Sequence, residues 1–391
     1  MTDPGASAHA AAPPSALHLP RTLFGSGAIA SLKSELLALG VRRPLLVTDR
    51  GVVAAGLADR LIEASGDGPA MRVFAEVTEN PVFADVDEGA SWWREGGCDA
   101  VVALGGGSVI DTAKLIALLG TNPGSVADHV GVPGATHRAG APLVAVPTTA
   151  GTGSEASPAA GIHPDAASPS LGMNSRHLVP TVAILDPELT RSLPPRLTAA
   201  TGIDALSHCI EGYLSLKSVP MGKAMALDGI ARIARHLRRA ASHGEDMEAR
   251  AEMMIAAFAG GVSIGMGLGP AHALALSCSD QGFPHGVLSG IGLVASLDAT
   301  ARRAPEAIAE VARAFGLGAT ASLPAAIASL MRELGLPATL GELGYAAGDP
   351  ARLAAAAHAS HFNRFAPVHP SVADYAGMLS SSMAGRLCGQ A

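Results

Sequence analysis

Asp204 and His208 stand four residues apart in GIDALSHCIEG, so on a helix the two side chains stack on one face. Downstream, GPAHALALSCSDQGFPHG supplies His272 and His285, thirteen residues apart, with a break expected around Ser279 to Pro284. One carboxylate and three imidazoles can hold a divalent ion such as Fe²⁺ or Zn²⁺ and leave a position open for a substrate oxygen. Spacing alone does not establish that site. The chain has 14 histidines, and each of the four residues taken singly reads more readily as a helix-surface or satisfied core group. His272 lies on an otherwise apolar segment, where a neutral hydrogen-bonded histidine is the usual explanation, and Glu211 reads equally as a solvated charge.

A second kind of chemistry is written into DAVVALGGGSVIDTAK, residues 99–114. Ala100 to Leu104 is an apolar run of strand length. Gly105, Gly106 and Gly107 then permit positive φ and close approach of a ligand, and Ser108 offers a capping hydroxyl where a helix begins. The free N–H groups and positive dipole end from Ser108 to Asp111 form an anion site whose natural occupant is a phosphate. Neither GxGxxG nor GxxxxGK[ST] is present, so the identity of the anion must come from elsewhere. Asp49 follows the first strong strand, where a carboxylate can accept from a ribose diol and repel a 2′-phosphate, or simply cap a helix. PTTAGTGSE, residues 147–155, can wrap a polar ligand through Thr148, Thr149, Thr152 and Ser154, or serve as a solvated turn.

Strands alternating with helices position these groups. An edge strand is expected over Arg21 to Gly27 with a helix near Ile29 to Leu39, then strands at 44–49, 72–77, 100–104, 142–147 and 182–185. Helices are expected at 52–64 and 83–95, and from the glycine turn to about Leu119. This pattern predicts a doubly wound, mostly parallel sheet with ligands at the carboxyl ends of its strands. After Asp186-Pro187 only helical segments follow, at 195–214, 224–240, 248–265, 287–301 and 305–315. The expected organisation is a disordered tail over 1–18, an α/β dinucleotide-binding domain over 19–191, and an all-helical metal-binding domain over 192–391. No internal repeat is visible.

Composition narrows the function classes. With 391 residues of which 48% are hydrophobic, the chain can bury a large core, and with only 3% aromatics that core must be filled by Ala, Leu, Val and Ile. A formal charge of -7 without a basic run argues against nucleic acid. Cys98, Cys209, Cys278 and Cys388 lack CxxC spacing, as expected for reduced thiols in a cytoplasmic protein. The N-terminal stretch MTDPGASAHAAAPPSALH has neither the basic start nor the apolar core of a signal peptide. No segment approaches the run of about 18 apolar residues that a membrane span needs.

Taken together, GGGSVIDTAK (105–114), TNPGS (121–125), PTTAGTGSE (147–155), AILDPELT (183–190), GIDALSHCIEGY and the HALAL…PHG stretch closely resemble the iron-dependent (group III) alcohol dehydrogenase family. The resemblance runs from about Arg21 to about Met383. It implies that Asp204, His208, His272 and His285 are metal ligands, with Fe²⁺ ahead of Zn²⁺. It implies that Gly105, Gly106, Gly107 and Ser108 hold the NAD pyrophosphate and that Asp49 takes the adenosine ribose. Asn80, Asp111, Thr148, Thr149, Thr152 and Leu189 match other cofactor-binding positions. The implied chemistry is hydride transfer between nicotinamide and a small aldehyde or primary alcohol in a cleft between the two domains, in a homodimer or larger assembly.

Three departures from the family pattern stand out. A second histidine often lies four residues after the third ligand, and here Leu276 replaces it, removing any proton relay through that position. The spacing from there to His285 is one residue short. Ser170 replaces a lysine ahead of Leu171-Gly172, removing a cationic cofactor contact, and nearby Arg176 and His177 read as solvated loop charges or as pointers to an anionic substrate. An aldehyde bearing an anion, such as phosphonoacetaldehyde, is therefore an alternative substrate. Dehydroquinate-synthase-like and polyol dehydrogenase-type enzymes share the architecture but differ in the HALAL…PHG motif.

Overall fold

The computed structural model describes residues 16–387 except 133, 134, 136, 167 and 347, so the expected N-terminal tail falls almost wholly outside the described residues. The first half builds a six-stranded sheet. In chain order its elements are β1 (Arg21–Phe24), α1 (Leu32–Ala38), β2 (Pro44–Val47), α2 (Arg50–Ala54), α3 (Leu57–Ser65), β3 (Arg72–Phe74), α4 (Phe83–Gly96), β4 (Ala100–Gly105), α5 (Gly107–Leu119) and β5 (Leu143–Pro147). An antiparallel hairpin, β6 (Ala159–Ile162) and β7 (Leu171–Asn174), precedes β8 (Val182–Leu185).

All pairings in the main sheet are parallel, in the order β1-β8-β5-β4-β2-β3. Strands β2, β4, β5 and β8 are buried along their whole length, which their unbroken apolar sequences require when both faces are covered. One apolar layer lies under α4 and α5, around Phe74, Trp93, Ile110 and Ile116. The other lies under α1 and α3, around Leu32, Leu36, Leu46 and Leu61. The chain order reverses between β2 and β4, so the loops leaving those strands open into the crevice where such sheets bind nucleotides.

The second half is helical: α6 (Pro195–Leu214), α7 (Pro220–Ser242), α8 (Met247–Met266), α9 (Pro270–Ser277), α10 (His285–Ala301), α11 (Pro305–Ala314), α12 (Leu323–Glu333), α13 (Leu340–Leu343), α14 (Pro350–Ala359) and α15 (Val372–Met383). Helix α6 is buried from Thr198 onward on nearly every side and forms the axis of this half, whereas α7 covers it with one apolar stripe. Among the described residues no single helix is long and apolar enough to cross a membrane.

Several local expectations differ from the structure. The helix expected over 52–64 is broken at Gly56, whose φ of 72° ends α2 and starts α3. The segment Arg176–Leu178 lies beyond the N-terminal ends of β5 and β8, where Thr181 donates to the Leu143 carbonyl, so Arg176 and His177 occupy the sheet edge opposite the ligand loops. The hairpin β6–β7 was not expected at all: its strands are four residues each, and of the facing pairs only Ala160–Met173 is buried on both strands.

Candidate active site

The four residues singled out as ligands come together. Asp204 and His208 lie on α6, His272 on α9, and His285 is the first residue of α10. Donor atoms of Asp204, His272 and His285 all fall within 4.8 Å of one another. The Nε2 atoms of His208, His272 and His285 each lie 3.9 Å from the same oxygen, Asp204 Oδ1. The His208 and His272 rings stack with centroids 4.8 Å apart, and His285 meets His272 at 5.5 Å. Ligands about 2.1 Å from a shared tetrahedral centre sit roughly 3.4 Å apart, so a small inward shift closes this set on a divalent ion.

The protonation states also fit. Burial acts to raise the Asp204 pKa, but His208, His285, His272 and the Ser289 hydroxyl outweigh it and hold the carboxyl below its usual range. Burial pushes His208 down to about 4 and also lowers His285, leaving neutral imidazoles facing a carboxylate. Among the described residues the buried His272 Nε2, the ring atom facing Asp204, has no hydrogen-bond partner, and a buried imidazole nitrogen without a partner suits a metal. His285 is the exposed member of the set and marks the open side.

Glu211 is not a solvated charge. It is buried further along the same face of α6 as Asp204 and His208 and accepts from Ala271 N at 2.7 Å, His272 N at 3.3 Å and His272 Nδ1 at 2.6 Å. Both of its oxygens already face backbone donors, so Nδ1 carries the hydrogen and Nε2 presents its lone pair to the ligand cluster. Sequence spacing could not reveal this contact, which joins α6 to α9 across 61 positions. Leu276, one helical turn beyond His272, is half-buried.

The dinucleotide side lies at the carboxyl ends of the strands. None of Gly105, Gly106 and Gly107 has positive φ, contrary to the expected freedom; their role is close approach. A Cβ at Gly107 would lie 2.8 Å from Thr152 Cγ2, and at Gly106 3.3 Å from Thr149 Cγ2, so the 147–155 loop presses on the start of α5. Gly106 takes the cap position, and Ser108 instead donates from Oγ to the Glu79 carbonyl at 2.5 Å. The first-turn N–H groups of α5 thus remain available to an anion. Asn80 is exposed in the neighbouring loop. Asp49 accepts from Val52 N at 2.8 Å as the cap of α2, and among the described residues its other oxygen has no hydrogen-bond partner. Leu189 is buried in the apolar layer under α1 and α3, where its side chain serves packing.

The 147–155 loop is fastened to both halves. Thr148 N donates to Gly105 O, while Gly153, with φ of 64°, meets Gly261 of α8 so closely that a Cβ on Gly261 would lie 2.1 Å from Gly153 O. Below it, Lys114 is fully buried and donates to Ser157 O, Ser157 Oγ and Ala159 O. Asp111 lies 3.5 Å from that ammonium and accepts from Gly161 N with Oδ2 at 2.9 Å. Asp111 therefore ties α5 to the hairpin. Burial pushes Glu155 beside this cluster up to about 7.

Comparison with known proteins identifies the family. Residues 20–187 match the family described as iron-containing alcohol dehydrogenase, and residues 198–383 match the Fe-containing alcohol dehydrogenase family, C-terminal. A 4-hydroxybutyrate dehydrogenase of Cupriavidus necator is 41% identical over 370 residues, covering 91% of this chain and 96% of the relative. A solved 1,3-propanediol oxidoreductase superposes with a TM-score of 0.89 at 30% identity, covering 94% of this chain and 99% of that one. A sulfoacetaldehyde reductase from Bifidobacterium kashiwanohense, in complex with NAD⁺, gives 0.86 at 29% identity, covering 95% and 98%.

Proposed function

This chain belongs to the iron-containing alcohol dehydrogenase family, and from that premise we propose that it interconverts a short aldehyde and its primary alcohol. The overall reaction is aldehyde + NADH + H⁺ to alcohol + NAD⁺, with reduction the favoured direction. The chain is an NAD-dependent, metal-containing oxidoreductase by its family and relatives. The proposal adds the residues and the ion: Asp204, His208, His272 and His285 as ligands and Fe²⁺ as occupant.

The observation that carries the proposal is Asp204 Oδ1 standing 3.9 Å from the Nε2 atoms of three different histidines, His208, His272 and His285. The chemistry such an ion supplies when bound is polarisation of a carbonyl oxygen, with NADH supplying the hydride. Everything else falls to the chain. The α5 N-terminus and the bare backbone of Gly105 to Gly107 receive the pyrophosphate. Asp49 accepts from the adenosine ribose through the oxygen not used in capping. Thr149 and Thr152, pressed against the glycines, border the same path. Glu211 fixes the His272 ring, and Phe362, 5.6 Å from that ring, keeps water from one side of it. Leu276 offers no proton, so the alcohol proton is exchanged with solvent on the open His285 side.

NADH oxidation by protein loaded with Fe²⁺ or Zn²⁺, assayed on short neutral and anionic aldehydes, tests this reading. Metal-dependent turnover of at least one aldehyde is the expected result, and the same rate with chelator present would refute it.

A further inference from the structure

The row of contacts that joins the two halves of the cleft passes through one histidine that the proposed reaction does not use. On the dinucleotide side, Asp111 of α5 accepts from Gly161 N, and Gly161 faces Gly172 across the β6–β7 hairpin. A Cβ at Gly172 would lie 3.9 Å from both Cε1 and Nε2 of His361, so the imidazole rests on a patch of hairpin without side chains. On the other side, the His361 ring packs on Phe362 at 4.2 Å, and Phe362 packs on the ligand His272. His361 therefore stands between the helix proposed to hold the cofactor and the cluster proposed to hold the metal.

Its surroundings are those of a binding group rather than a structural one. The short 3₁₀ segment His361–Phe365 leaves His361 exposed. Among the described residues no hydrogen bond or ion pair engages its ring, in contrast to His163, His358 and His369, which each meet a backbone carbonyl. Burial by its neighbours is the cause that lowers its pKa, with no carboxylate close enough to oppose it. An exposed imidazole with no protein partner is free to donate to an incoming anion.

We infer that His361 is the specificity-determining residue of the substrate pocket, donating from its ring to the terminal anion of a short aldehyde whose carbonyl lies toward His272. The inference rests on the proposed aldehyde chemistry and narrows it to ω-oxo acids. The anion is a carboxylate or a phosphonate, two sources of the same recognition. A short chain suffices because only Phe362 separates His361 from the ligand cluster.

The test compares metal-loaded wild type, His361→Gln and His361→Arg in NADH oxidation with succinic semialdehyde, phosphonoacetaldehyde and butanal. Wild type is expected to favour one of the two anionic aldehydes over butanal at least tenfold in kcat/KM, and which one identifies the anion. His361→Gln is expected to lower that ratio at least tenfold, chiefly through KM, and His361→Arg to restore most of it. A ratio in His361→Gln within twofold of wild type, or a wild-type preference for butanal, overturns the inference. Calorimetric titration of 4-hydroxybutyrate and phosphonoacetate into wild type and His361→Gln reads the contact without turnover. Equal affinities for both acids in the two proteins overturn the inference even if an aldehyde is reduced; absence of any aldehyde reduction with tenfold weaker binding in the variant instead sinks only the proposed activity.

Discussion

Glu211 Oε2 lies 2.6 Å from His272 Nδ1, while Oε1 accepts from the Ala271 backbone N–H at 2.7 Å. Every partner of this carboxylate is a donor, and all of them belong to the first turn of α9. The consequence is that one buried side chain of α6 sets both the position of α9 and the tautomer of a ligand on it.

Glu211→Gln places an amide NH₂ against at least one of those donors. The variant is expected to fold and to hold its metal about 10- to 100-fold more weakly, the usual cost of losing such a partner. Metal content after equilibrium dialysis at graded free Zn²⁺ checks this. Wild-type affinity in the variant would mean that Glu211 only packs α9.

Asp49→Asn isolates charge from capping. Asparagine caps a helix about as well as aspartate, so the α2 cap, worth about 1 kcal/mol, survives. The preference for NADH over NADPH in kcat/KM is expected to fall at least tenfold, because the repulsion of a 2′-phosphate is gone. An unchanged ratio would leave Asp49 as a cap alone.

Glu155 gives a pH dependence of stability. Burial raises its pKa from the ordinary 4.5 to about 7, so the folded state favours the protonated form. The stability from that proton is full below about pH 4.5 and is lost as pH rises through about 7. Glu155→Gln keeps the neutral form throughout, and the advantage of the variant in unfolding free energy, read by denaturant titration, is expected to grow between pH 5 and pH 8 by up to about 3 kcal/mol. A difference that is flat or shrinks over that range would contradict the assignment.

Much of this site was legible because its spacing is local. Asp204 and His208 share a helical face by the four-residue rule, and the segment 195–214 reads as one helix in both sequence and structure. The apolar runs of β2, β4, β5 and β8 likewise announce a covered parallel sheet. What stayed hidden depends on contacts between distant segments. Glu211 finds its partners across α6 and α9, and Gly153 meets Gly261 between a loop and α8, neither with a local signature. The hairpin β6–β7 escaped because its strands are short and half-exposed, so alternation over four residues carries little signal. Three consecutive glycines suggested unusual φ, but their backbone is ordinary and the missing side chains make room for Val109, Thr149 and Thr152.

The central claim is that Asp204, His208, His272 and His285 hold one divalent ion on which hydride transfer depends. Titration of Fe²⁺ under anaerobic conditions into chelator-stripped wild type and His272→Ala, with metal stoichiometry and NADH oxidation read on the same samples, tests it most directly. The account predicts one tightly held ion per wild-type chain, activity rising in step with occupancy, and neither in the variant. Stripped wild type that turns over as fast as the loaded protein would contradict it.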